Sequence, residues 1–201
     1  MKIIVVTGGI GSGKSVACRF LSTEFGWPIY CADEKVKELY VKSPSLLKSI
    51  EESLKMSFRD RDGQFCPASL AAVIFSDSRA LEIVEGLVFP ELIEDFVLWQ
   101  SEHKDAACVV LESATILEKP QLKGIGDVVL LIDAPLEVRL SRTVERDRTD
   151  ADSVQRRMEV QGLMNDVSAG LVPPPADVVV MNDSSVEELY DRLRKFVENT
   201  V

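Results

Sequence analysis

Apolar residues in this chain occur either in short unbroken runs or at helical spacing, and the two kinds of stretch alternate. The runs at 107–111, 128–132 and 178–181 are apolar without alternation, as expected of strands covered on both faces by helices, and 2–7 has a buried-strand pattern. A shorter strand is predicted at 27–31, ending at Ala32-Asp33. Helices are predicted from Ser15 onward, over 33–40 with Asp33 and Glu34 in the first turn, and over 45–54 behind Ser43-Pro44. The pattern over 67–100 is helical throughout, with Leu70, Val73 and Ile74 on one face and Leu81, Val84, Leu87 and Val88 on another. Residues 136–161 read as a polar helical stretch with a break near Asp150, and 186–197 as an amphipathic helix carrying Leu189, Leu193 and Phe196. Asp62-Gly63 marks 58–65 as a loop or small hairpin, and Pro173-Pro174-Pro175 marks a loop before the last strand.

Strands separated by helices imply an α/β fold: a five-stranded parallel sheet flanked by helices. The expected division is one domain whose core is 1–32, 105–134 and 162–201, with a helical section inserted at 33–104 and a helical lid at 135–161. Ligands of such sheets sit at the carboxyl ends of the strands, where Gly8, Asp33 and Glu112 fall.

The first strand runs into Gly8-Gly9-Ile10-Gly11-Ser12-Gly13-Lys14-Ser15, a complete G-x-x-x-x-G-K-[ST] match. Backbone N–H groups of such a loop converge into an anion nest, and the helix that follows aims its positive end at the same place. Lys14 is expected on the β- and γ-phosphates of a nucleoside triphosphate, and the Ser15 hydroxyl on a magnesium ion. The whole loop, Gly8, Gly9, Ile10, Gly11, Ser12, Gly13, Lys14 and Ser15, is read as nucleotide-binding.

The formal charge of −10 on 201 residues argues against a nucleic-acid or membrane-surface binder, so the phosphate site must be a local basic pocket on an acidic body. Cys18, Cys31, Cys66 and Cys108 form no C-x-x-C pair and read as scattered reduced thiols. His103, the only histidine, lies in a polar stretch and reads as a solvated surface residue. No apolar run is long enough for a membrane span and no signal peptide is visible, so the expected compartment is the cytoplasm. The expected state is a monomer.

Three further features suit phosphoryl transfer. Asp33 at the end of the second strand is a candidate base for an attacking hydroxyl, or else a helix N-cap. Glu112 closes the third strand as a Walker-B-type acid on magnesium, or else is a plain strand end. Arg139, Arg142, Arg146 and Arg148, with Arg156 and Arg157, suit a lid over triphosphate; the competing reading pairs them with Glu137, Glu145 and Asp147 on a helix surface. A guanine switch is disfavoured, because no Asn-Lys-x-Asp occurs.

Together these residues resemble the dephospho-coenzyme A kinase family, P-loop kinases of the nucleoside-monophosphate-kinase type. The resemblance runs from 6–15 through Cys31-Ala32-Asp33, Asp62-Gly63, Leu70-Ala71, Phe75-Ser76-Asp77, Glu112 and Ala114-Thr115-Ile116-Leu117-Glu118. It continues at Asp133-Ala134-Pro135, Arg142, Arg146-Asp147, Arg157, Gln161, Asp177 and Asn182. It implies transfer of the ATP γ-phosphate to the ribose 3′-hydroxyl of dephospho-CoA, giving CoA and ADP, in the last step of coenzyme A biosynthesis. Asp33 would be the base, Lys14 and Arg146 catalytic cations, Ser15 and Glu112 the magnesium ligands, and Arg142 and Asn182 nucleotide contacts, with Asn182 facing adenine. ATP and dephospho-CoA would be the small-molecule substrates, and the 33–104 section would bind the acceptor. The chain departs from the family pattern at Cys31 (an aspartate there), Pro67 (arginine), Phe89 (histidine), Ala114 (proline) and Arg139 (glutamine). A P-loop kinase for another small hydroxyl or nucleotide acceptor is the alternative.

Overall fold

A computed structural model describes the whole chain except residues 160, 162, 164, 165, 168, 169 and 171. It divides into two compact units, one formed by Met1–Cys31 with His103–Val201 and the other by Ala32–Glu102.

The first unit holds the sheet. Strands β1 (Lys2–Thr7), β2 (Ile29–Cys31), β3 (Cys108–Glu112), β4 (Val128–Asp133) and β5 (Val178–Met181) are all parallel, in the order β2-β3-β1-β4-β5. The loop-bearing strand β1 is therefore central, with β3 on one side and β4 on the other. The apolar runs read as doubly covered strands because they are: Ile4, Val6, Cys108, Val109, Val110, Leu130 and Ile132 are wholly buried. On one face, helix α1 (Lys14–Phe25) and the C-terminal helix, here α8 (Val186–Thr200), supply Ala17, Cys18, Leu21, Leu189, Leu193 and Phe196 to the core. Helix α1 ends at Gly26, and α8 begins at Ser185, whose Oγ accepts the Glu188 N–H at 3.2 Å. Between β4 and β5 lie α6 (Leu136–Asp147) and α7 (Ala151–Glu159), separated near Asp150 as the sequence indicates. Two short 3₁₀ turns, Ile116–Glu118 and Pro120–Leu122, lie between β3 and β4 and carried no periodic signal. His103 is half-buried.

The second unit is helical: α2 (Ala32–Lys42), α3 (Pro44–Leu54), α4 (Pro67–Ser76) and α5 (Ser78–Glu102). Its core gathers Leu46, Leu47, Ile50, Phe58, Leu70, Val84 and Val88. The helical stretch read over 67–100 consists of two helices, α4 and α5. Asp77 has extended backbone (φ −135°, ψ 108°), its N–H closes α4 on Val73 O, and its Oδ1 accepts the N–H of Arg79 at 2.9 Å to open α5. A side-chain cap of this kind outweighs local periodicity because it satisfies donors that a new helix would leave orphaned. Residues 58–65 form the small hairpin-like turn, with one antiparallel bridge between Arg59 and Phe65. The turn is tied to α3 through Glu51, whose Oε1 accepts the Phe58 N–H at 2.9 Å and whose Oε2 accepts from Arg59 Nε at 3.2 Å. Beside it, burial pushes the Tyr40 phenol up to about 12, with the charge of Glu85 adding to the shift.

Candidate active site

At the carboxyl end of β1 the chain folds over itself into the glycine loop and re-enters as α1 at Lys14. The first N–H groups of α1 have no carbonyl one turn back to take, which leaves a cluster of donors at the loop. Val16 and Ala17 then donate to Gly13 O, each at 3.0 Å, and the helix is established. Gly13 needs to be glycine on two counts: its φ is +100°, and an added Cβ would collide with the side-chain amide of Asn182. Lys14 Nζ folds back along the loop and donates to Gly8 O at 2.8 Å and Gly9 O at 3.3 Å, so its charge is held against the loop backbone.

Ser15 and Glu112 meet. The Ser15 Oγ donates to Glu112 Oε1 at 3.2 Å, and the other carboxylate oxygen accepts from Cys31 Sγ at 3.5 Å. The pairing follows from register, since Val6 stands opposite Glu112 and Cys31 opposite Glu112 across the two neighbouring ladders. Ser15 is exposed and Glu112 half-buried. A hydroxyl and a carboxylate at this distance form the hard-oxygen donor set that suits magnesium, which binds through one or two protein oxygens plus substrate phosphates. Among the described residues no group of three or more His, Cys, Asp or Glu could hold a metal ion. Burial pushes the nearby Cys18 thiol well up, and Glu112 adds to that shift, so this thiol stays protonated. No disulfide joins the four cysteines.

The arginine series divides. Arg139 is not on a lid surface; it is wholly buried, and its Nε donates to Ile10 O at 3.0 Å. Helical spacing put it in line with Arg142 and Arg146 but could not show that the loop itself covers this end of the helix. Arg142 Nη1 donates to Asn182 O at 2.9 Å, and Asn182 Nδ2 donates in turn to Ser12 O at 2.8 Å. Asn182 is therefore buried with its amide turned onto the glycine loop, where the resemblance had aimed it at adenine. Arg146 and Arg157 are exposed and both bind Asp147, at 2.7 Å each, holding that carboxyl well below the usual range, Arg146 foremost. Pairing with Asp147 was the competing reading for the cluster, and it describes these two arginines. Arg148 and Arg156 are exposed. The N–H of Ile10 donates to Gln161 Oε1 at 2.8 Å, so this loop amide is held by the protein itself.

Asp33 belongs to the helical unit, where it is exposed in the first turn of α2. Sequence reading missed the part played by Gln161 and the way Arg139 is used. The signal for Arg139 lay in Gly9, a glycine whose added Cβ would strike the Arg139 guanidinium.

A family model described as dephospho-CoA kinase matches residues 2–188. A dephospho-CoA kinase of Porphyromonas gingivalis is 36% identical over 182 residues, covering 90% of this chain and 86% of that protein. One of Fusobacterium nucleatum is 28% identical over 200 residues, covering 98% and 97%. Among solved structures, TT1252 from Thermus thermophilus superposes with a TM-score of 0.81 at 26% identity, covering 100% of this chain and 98% of that one. The dephospho-CoA kinase from Campylobacter jejuni, at 18% identity, shares the fold with a TM-score of 0.66, covering 98% and 96%. A match along almost all of the chain, in a sheet whose central strand carries a complete phosphate loop, has one consequence: the chain belongs to the dephospho-CoA kinase family.

Proposed function

We propose that this protein transfers the γ-phosphate of ATP to the ribose 3′-hydroxyl of dephospho-CoA, giving CoA and ADP, in coenzyme A biosynthesis. The observation that carries the reading is the Ser15–Glu112 contact at the start of α1, beside a lysine already folded onto the loop carbonyls. Phosphoryl transfer needs positioning and charge neutralisation above all, and these residues provide for both. The triphosphate tail lies against the loop Gly8–Ser15, with Lys14 on its β- and γ-oxygens. Ser15 and Glu112 would hold a magnesium ion, which when bound neutralises charge on those same oxygens.

In the reaction, the 3′-oxygen bonds to the γ-phosphorus while the bond from that phosphorus to the β,γ-bridging oxygen breaks. The proton of the hydroxyl passes to Asp33, and ADP leaves. Arg146 is the second catalytic cation, and it reaches phosphate by exchanging its Asp147 partner. Arg142 and Asn182 belong to the nucleotide site, Asn182 by supporting Ser12 from behind. The helical section 33–104 binds the acceptor, and 135–161 acts as the lid. We place the protein in the cytoplasm as a monomer acting on small molecules, with neither nucleic acid nor membrane as partner. In support, its formal charge is −10, and among the described residues no helix is long and apolar enough to cross a membrane.

The test is a mass-spectrometric assay of purified protein with ATP, magnesium and a panel of acceptors. Dephospho-CoA should gain one phosphoryl group on its ribose, with ADP formed in equal amount. Turnover with a nucleoside monophosphate or another small alcohol, and none with dephospho-CoA, would instead make it a P-loop kinase for a different acceptor.

A further inference from the structure

The crest of the glycine loop is gripped by one peptide. Ile10 donates its N–H to Gln161 Oε1 at 2.8 Å and accepts the Arg139 Nε–H on its carbonyl at 3.0 Å. Both gripping side chains are buried, Arg139 at 0% exposure and Gln161 at 7%. Each is itself fixed: Arg139 donates its backbone N–H to Pro135 O at 3.0 Å, and Gln161 donates its own to Met158 O at 2.9 Å. The Arg139 carbonyl accepts the Thr143 hydroxyl at 2.7 Å, and Thr143 is also wholly buried. One turn further along α6, Arg142 holds Asn182 and Asn182 holds Ser12 O, so the same helix grips the loop a second time, two residues on.

A guanidinium is expensive to desolvate, and burial pulls the Arg139 pKa down, with Asp133 opposing that shift. Its hydrogen bond to a loop carbonyl and the exclusion of any Cβ at Gly9 give it one orientation. In that position the buried charge lies against the loop backbone, where low dielectric lets an anion held by the loop feel it.

We propose that Arg139 and Gln161 are positioning residues that hold the Ile10 peptide, and with it the phosphate cradle, in its nucleotide-binding shape. The arm formed by α6 and α7 thereby sets the affinity for the triphosphate tail. The inference rests on the kinase reading above and assigns to these two side chains a part in nucleotide affinity that does not require contact with nucleotide.

The experiment measures ADP affinity by calorimetry, thermal stability, and KM and kcat for ATP. It uses the full chain and the variants Arg139→Gln, Arg139→Lys, Gln161→Met, Gly9→Ala and their pairs. Gln161→Met and Arg139→Gln should each weaken ADP binding by about tenfold or more, with KM for ATP rising in step and kcat at saturating ATP changing less. Because both grip one peptide, the double variant should lose clearly less than the product of the single losses. Gly9→Ala should act by displacing the guanidinium, so that adding Arg139→Gln to it costs little more. If Arg139→Gln fails to fold, Arg139→Lys and Gln161→Met carry the test. Folded variants that bind ADP like the wild type, or losses that multiply as for independent sites, would overturn the clamp while leaving the kinase reading intact. A wild-type protein that binds neither ADP nor Mg·ATP would overturn both.

Discussion

Ser15 and Glu112 stand 97 residues apart in the chain and 3.2 Å apart in space, hydroxyl to carboxylate, at the carboxyl end of the central strands. Neither residue alone says more than helix start or strand end. Their meeting turns two ambiguous positions into one oxygen-lined site.

Glu112→Gln keeps the shape of the side chain and removes its charge. The expected result is a magnesium requirement raised by about tenfold or more, with a smaller change in kcat once the metal is saturating. Titrating activity against free Mg²⁺ at fixed ATP measures it, and an unchanged magnesium profile would remove Glu112 from the metal site.

Lys14→Ala removes the cation held on the Gly8 and Gly9 carbonyls of the loop. Loss of a preorganised charge of this kind costs about 10²–10³-fold or more in kcat. Single-turnover phosphoryl transfer is the measurement, and near-normal rates would refute a role for Lys14 on the phosphates.

Asp33→Asn tests the proposed base. ATP and ADP affinity should stay within about twofold, while kcat falls by roughly two to four orders of magnitude, the range for losing a general base. If nucleotide affinity falls in proportion to rate, Asp33 is serving as a structural or metal-associated group instead.

The helical unit should show its own acid sensitivity through Glu51. The Phe58 N–H, and after it Arg59 and Ser57, hold this carboxyl below its ordinary 4.5. A carboxylate with a depressed folded pKa contributes stability that is fully present above the unfolded value. That contribution is lost as pH falls from this ordinary value through the folded pKa. Glu51→Ala should lower stability by about 1–2 kcal/mol at neutral pH, the scale of a lost charged hydrogen-bond set, and the deficit should shrink toward pH 3. Urea unfolding at pH 7 and pH 3 checks this, and a pH-independent deficit would refute it.

The sheet was legible because doubly covered parallel strands leave unbroken apolar runs, and runs such as 128–132 lie inside the strands they predicted. The glycine loop was legible because its spacing is a steric requirement that few other contexts impose. Less visible were features decided by long-range partners. Asp77 divides a periodic helix because its carboxylate caps the next one, and periodicity does not register caps. Arg139 shares a helical face with Arg142 and Arg146, yet one is covered by the loop, one is half-buried and one is exposed. Spacing along a helix fixes direction around its axis, whereas what lies in that direction depends on strands far away in sequence. Asn182 is the same case, since its partner Ser12 is 170 positions distant.

That last bond bears on synthesis. In a growing chain the phosphate loop is made 170 residues before the asparagine that supports Ser12. Lys2 likewise waits for Thr200, whose carbonyl it meets at 2.5 Å. Contacts that close so large a loop form late in folding. The nascent enzyme therefore has its most recognisable motif long before it has a rigid one, and a ribosome-bound chain stopped short of β5 should capture nucleotide poorly even with every residue of that motif in place.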